Sequence, residues 1–178
     1  MGAAGAFPRL SLLTSPAAGS TICGMDHIDT KILRTLMQDG HTTNARLAKT
    51  IGLSESATLE RVRRLESSDV IRGYQALVEP ARVDRGLEAV MTFSLQNQSM
   101  EEVARFMRAM AEMDEVLSCA QTLGRFDFVA HVAVKDVPAL ERFINQRLIP
   151  LGGINRMESF TILKMVKRFH PPLPLDTD

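Results

Sequence analysis

Two short stretches of helical periodicity meet at a single glycine in the run TNARLAKTIGLSESATLERVRRLESSDVIRGY, Thr43 to Tyr74. Upstream of the junction Leu47, Ala48 and Ile51 make one apolar stripe, and Gly52 occupies the place where a helix stops on a left-handed residue. Leu53 then turns inward, and Ser54 offers its hydroxyl as the cap of the next helix. In that helix Leu59, Val62 and Leu65 recur every three residues, which predicts a narrow buried seam with Ser56, Ala57, Thr58, Arg61, Arg63 and Arg64 off it. Asp29 is the expected N-cap of an earlier helix carrying Ile32, Leu33 and Leu36, with Ile28 stapled against Leu33. The run Ile71–Val78 reads as a strand ending at Pro80. Three small helices around one core with a strand behind them predict a winged-type helix-turn-helix domain over residues 25–70.

A helix of this kind projects into the major groove of double-stranded DNA. Small residues at its start, Ser54, Ser56, Ala57 and Thr58, allow close approach to base edges, while Arg61, Arg63 and Arg64 can reach phosphate or guanine. The bland alternative is a solvated face on an ordinary three-helix unit. Charge does not decide between them: residues 25–80 hold eight Lys/Arg and eight Asp/Glu, so no broad electrostatic footprint exists. Affinity then depends on where individual arginines sit and on linking two heads.

The segments LERVRRLE (Leu59–Glu66) and VIRGY (Val70–Tyr74), with GRFDF at Gly124–Phe128, resemble the Lrp/AsnC (feast/famine) family of transcription regulators over about Met25 to Phe169. The resemblance implies a recognition helix that reads DNA, a homodimer formed through the C-terminal sheet, further assembly to octamers, and a small effector, commonly an amino acid, bound between dimers. It also implies that Thr43 and Arg46 stand where the family often has a Ser-x-x-Glu capping box; the box is lost, and Arg46 falls where that helix end approaches a phosphate. Asp69 replaces the glycine that usually ends the recognition helix, and aspartate tolerates the left-handed conformation this demands.

Beyond a linker at 71–87 the pattern changes. Ala89, Met91, Phe93 and Leu95 alternate as the inward face of a strand over 88–96. Ser99 and Glu102 form a capping box for a helix with Val103, Phe106, Met107 and Met110 on one side. Strands at 115–123 and 126–134 meet at a tight Gly124-Arg125 turn. Asp136 caps a second helix that admits Pro138 in its first turn and turns Leu140, Phe143, Ile144 and Leu148 inward. Gly152-Gly153 precedes a last strand over 155–168. The order βαββαβ over 88–170 is the ferredoxin-like split unit, and the chain is α+β overall. Two helices cover one sheet face only, so self-association is the simplest way to bury the other.

The resemblance places the effector against Gly124, Arg125, Phe126 and Asp127, with Met157, Ser159 and Thr161. Asp127 either pairs with an α-amino group or caps its own hairpin; Arg125 is either a ligand contact or a solvated turn residue. Met157 stands in for a second threonine of relatives and points to an apolar or sulfur-bearing amino acid.

Other chemistry is thin. No apolar run approaches membrane-spanning length. Cys23 and Cys119 are too differently placed to suggest a disulfide, which fits a cytoplasmic protein. His27, His41, His131 and His170 show no metal-ligand spacing, and no phosphate loop, nucleophile elbow or cofactor motif occurs. A non-enzyme with no cofactor is expected. Two alternatives share the layout: a sirohaem-decarboxylase-like enzyme and an amino-acid-sensing module that does not touch DNA. Residues 1–24, rich in Ala, Gly, Ser and Pro, and residues 171–178 read as tails, with Met25 a second candidate start.

Overall fold

A computed structural model describes residues 25–167, which form two compact units divided between Gln75 and Ala76. The expectations for both tails, for Cys23 and for His170 lie outside the described residues, as does residue 168 of the expected last strand. None of the helices among the described residues is long and apolar enough to cross a membrane.

The first unit contains α1 (His27–Gln38), α2 (Asn44–Ile51) and α3 (Glu55–Ser67). Ile32, Leu33, Leu47, Ile51 and Leu65 form its core, with Met25, Ile28, Leu36, Leu53, Val62 and Ile71 packed around them. Gly52 ends α2 at φ 78° and ψ 32°, where a Cβ would be strained, and Ser54 caps α3 by accepting the Ala57 N–H. Asp69 does take a left-handed conformation, φ 57°, and lets the Ile71 N–H return to the Leu65 carbonyl.

Two local expectations are corrected here. The N-cap of α1 is Asp26, not Asp29: Asp26 accepts the Asp29 N–H, and Asp29 accepts the Asp26 N–H in return, a capping box built from two aspartates. The run Ile71–Val78 forms no strand and has no ladder partner among the described residues, so these carry no wing. A short 3₁₀ turn, Pro80–Val83, follows.

The second unit is a four-stranded antiparallel sheet in the order β2-β3-β1-β4, from β1 (Leu87–Leu95), β2 (Val116–Gln121), β3 (Phe128–Val134) and β4 (Ile154–Thr161), with α4 (Met100–Ala111) and α5 (Val137–Phe143). Ala89, Met91, Phe93 and Leu95 are all buried beneath the helices, and Phe106 of α4 packs between Phe93 and Phe128 at 5.3 and 4.7 Å between ring centroids. Ser99 caps α4 and Asp136 caps α5. The inward helix run continues past α5 as a π turn, Ile144–Leu148, which keeps Leu148 fully buried. The last strand is shorter than its composition suggests and stops at Thr161.

Cross-strand register fixes the other sheet face. Val90 lies opposite His131 and Phe160, and Thr92 opposite Val129 and Glu158. Neither helix of the unit packs on this side, and Phe160 remains 53% exposed there. His131 Nε2 stands 2.9 Å from Glu88 Oε2 on the same face, a structural partner for a histidine that the sequence left alone.

Candidate nucleic-acid interface and effector region

The turn between α2 and α3 is fixed from both sides. Thr43 caps α2 by accepting the Arg46 N–H at 3.3 Å, and Asn44 Nδ2 donates to the Glu55 carbonyl at 2.8 Å, tying the two helix starts together. Arg46 itself is exposed and pairs with Asp39 at 3.4 Å. Thr43, Ser54 and Ser56 are exposed, and Ala57 is half-buried.

The buried side of α3 differs from the expected seam. Thr58 is fully buried and donates its hydroxyl to the Ser54 carbonyl at 2.9 Å, whereas Leu59 is 38% exposed. Geometry gives the reason. At about 100° per residue, Leu59 and Leu65 lie about 120° apart, while Thr58, Val62 and Leu65 fall within about 60° of one another. Thr58 is therefore a core residue and no part of the outer face. The opposite side of the helix is the stripe Ser56, Glu60, Arg63 and Ser67, all exposed. The seam Leu59, Val62 and Leu65 points to neither Glu60 nor Ser67, although spacing of four, three and four from Ser56 reaches both.

The arginines do not share one environment. Arg61 Nη1 donates to Asp26 Oδ2 at 2.8 Å and to Asp29 Oδ1 at 3.0 Å, and Arg64 Nη2 donates to Asp29 Oδ2. Asp29 is fully buried. The Asp29 N–H and the Arg61 guanidinium hold the Asp26 carboxyl at about 2, well under its ordinary 3.8. Arg63 alone of the three has no acidic partner among the described residues. These contacts make Arg61 and Arg64 fasteners between α3 and α1.

In the second unit the β2–β3 turn is an ordered hairpin end. Thr122 Oγ1 donates to the Phe126 carbonyl at 2.6 Å, and the Arg125 guanidinium lies over the Phe126 ring at 5.3 Å. The connection runs over residues 122–127 and is longer than the two-residue turn expected at Gly124-Arg125, with Gly124 at φ 157°. The Asp127 carboxylate accepts the Leu95 N–H at 2.7 Å and Gln98 Nε2 at 2.8 Å, so it ties the start of β3 to the loop between β1 and α4. The carboxylate thus clamps the hairpin to a neighbouring strand end and does not cap the hairpin itself.

The β4 residues are spread out. Met157 pairs with Phe93 in register and packs against the main core, so its thioether is a core contact in this chain. Ser159 and Thr161 are exposed and lie opposite Met91 and Ala89. Thr161 stands five residues along β1 from the level of Asp127, about 17 Å. One chain by itself does not gather Gly124–Asp127, Met157, Ser159 and Thr161 around a common point. Among the described residues no cluster of His, Cys, Asp or Glu could hold a metal ion.

Comparison with known proteins agrees with this two-part layout. Residues 25–66 match the AsnC-type helix-turn-helix domain and residues 88–172 match the Lrp/AsnC ligand binding domain. The leucine-responsive regulatory protein of Escherichia coli K12 is 33% identical over 144 residues, covering 81% of this chain and 88% of that protein. Among solved structures, a transcriptional regulator from Neisseria meningitidis in complex with L-Met is 31% identical with a TM-score of 0.80, covering 86% of this chain and 98% of that one. An AsnC family transcriptional regulator from Agrobacterium tumefaciens is 32% identical with a TM-score of 0.79, over 85% and 98% of the two chains. The sirohaem-decarboxylase reading and that of a sensor without DNA contact both give way to this likeness. The chain belongs to the Lrp/AsnC family: it is a transcription regulator, not an enzyme, with a DNA-binding helix-turn-helix domain and an effector-binding domain.

Proposed function

We propose that this regulator reads DNA with the outward stripe of α3, Ser56, Glu60, Arg63 and Ser67, and that an amino acid alters that binding. The stripe is the observation that carries the reading, because it offers a guanidinium without an acidic partner, a carboxylate and two hydroxyls on one side of a helix capped at its start. Arg63 suits phosphate or the guanine O6/N7 edge, and Glu60 can accept from cytosine N4. Thr43 and Arg46, at the start of α2, flank this surface and suit backbone phosphate.

The protein acts as a cytoplasmic homodimer, with dimers assembling further, to an octamer in the reading offered here. The uncovered sheet face bearing Val90, Phe160 and Val129 supports this, since burial of apolar surface drives association. Two linked heads also compensate for the balanced charge of each.

The effector is an apolar or sulfur-bearing amino acid, with L-methionine the first candidate. The likeness to a neighbour solved with L-Met supports this. Met157 does not, because it belongs to the core. The Gly124–Asp127 turn takes part from one dimer, with Ser159 and Thr161 supplied across an assembly contact. The effector shifts the population of assembled forms and so changes which half-sites the heads span together.

A mobility-shift assay on DNA upstream of the gene, with and without L-methionine, tests the whole reading. Discrete, competitor-resistant shifts altered by L-methionine are expected. Isothermal titration against the twenty amino acids tests the effector class; tight binding to a charged amino acid alone would reject it.

A further inference from the structure

The Asp29 carboxylate is fully buried yet receives three donors: the Asp26 N–H at 3.2 Å, Arg61 Nη1 at 3.0 Å and Arg64 Nη2 at 2.5 Å. Arg61 is shared with Asp26, so two carboxylates hold two guanidinium groups between α1 and α3. Counted from Thr58 around the helix, Arg61 and Arg64 lie at about −60° and −120°, while Arg63 lies at about +140°. The ion pairs therefore pull on one flank of α3 and set its rotation, which turns the stripe of Arg63 outward.

We infer that Asp29 is a positioning residue for DNA recognition: it withholds Arg61 and Arg64 from phosphate and leaves Arg63 to contact DNA. The inference rests on the reading of α3 as the DNA-contacting helix. A buried carboxylate whose partners leave is uncompensated, so neither guanidinium transfers to a phosphate without stranding that charge. Asp29 thereby suppresses the sequence-independent part of DNA affinity, which counts phosphate contacts, and leaves base contacts from the stripe intact. Selectivity rises because its non-specific competitor is weakened.

The test measures the salt dependence of binding to a random-sequence duplex by the full chain, comparing the parent with Asp29→Asn, Asp26→Asn and Arg63→Gln. Each phosphate contact contributes about −0.9 to the slope of log affinity against log salt. Asp29→Asn is expected to steepen the slope by about 0.9 for one released arginine, up to about 1.8 for two. Each release corresponds to roughly 3.5-fold more gain in affinity between about 200 and 50 mM salt. A role confined to holding the fold together would not steepen this slope.

Asp26 is the more exposed partner, and asparagine there still accepts the Asp29 N–H. Asp26→Asn thus keeps the test available if Asp29→Asn does not fold, and it is expected to steepen the slope by a smaller amount. An unchanged or shallower slope in the folded variants overturns the inference. Arg63→Gln reports on the underlying reading, with an expected flattening of about 0.9. If Arg63→Gln changes nothing, the reading of α3 fails; if it flattens the slope while the aspartate variants do not steepen it, positioning by Asp29 alone fails.

Discussion

Asp127 and Leu95 are joined by a 2.7 Å hydrogen bond from a backbone amide to a carboxylate, which fastens the β2–β3 hairpin to the end of β1. The residue that the sequence suggests for binding an ammonium group is therefore also a structural clamp. Asp127→Ala leaves the Leu95 N–H without its partner and should cost about 1–3 kcal/mol. Asp127→Asn keeps an acceptor for that N–H and should recover most of the loss. Urea unfolding separates the two variants. If Asp127 also attracts the effector, both variants should lose the response to L-methionine while binding DNA as the parent does. Loss of DNA binding in Asp127→Asn would make the residue a requirement for assembly instead.

Arg63→Gln should weaken operator binding without changing thermal stability, because its side chain is exposed and makes no ion pair among the described residues. The loss in affinity should shrink as salt rises. Fluorescence anisotropy across a salt series, beside a thermal melt, checks both halves. A drop in melting temperature comparable to the affinity loss would move Arg63 into the fold.

Acid should destabilise the head through Asp26. Its carboxyl titrates at about 2 in the folded chain against an ordinary 3.8, so the unfolded chain binds the proton first. The stabilisation is complete above 3.8 and disappears as pH falls from there toward 2. The parent should lose more stability than Asp26→Asn across that window, and the two should converge below it. Far-UV circular dichroism melts at stepped pH measure the difference. Parallel curves would remove Asp26 from the acid response.

Gly52→Ala tests backbone conformation alone. Gly52 sits at φ 78°, and a Cβ added there meets no atom within 4 Å, so the cost is that of the left-handed conformation, about 1–2 kcal/mol. Chemical denaturation should show this with an unchanged m-value.

Self-association should respond to the uncovered sheet face. Phe160→Arg places a charge at an exposed apolar position and should shift the protein toward monomer in analytical ultracentrifugation. Retention of the parent mass would exclude that face as the dimer contact.

Patterns with local causes were legible in the chain. The alternation Ala89, Met91, Phe93, Leu95 is a strand beneath helices because side chains on a strand face opposite ways, and all four are buried. Gly52, Ser54 and Asp69 each advertise a helix end through their own backbone or hydroxyl chemistry. Sequence and structure part where two registers carry equal local signals. Asp26 and Asp29 are both capping residues, and only the fold shows that each serves the other. Leu59 is more apolar than Thr58, yet helix phase turns Thr58 inward with Val62 and Leu65, and the Ser54 carbonyl satisfies its hydroxyl there. Ile71–Val78 has strand composition without a strand beside it among the described residues. The least legible feature is the ion cluster. Asp29 and Arg64 are 35 positions apart, and no periodicity in either helix connects them.

The order β2-β3-β1-β4 leaves two strand edges, and they are not equally guarded. Edge β4 carries Arg156 and Glu158, whose charges discourage an incoming strand. Edge β2, Val-Leu-Ser-Cys-Ala-Gln, carries none and is mostly exposed, with a free thiol at Cys119. Of the two edges, β2 is therefore the one less protected against the addition of a foreign strand in concentrated protein.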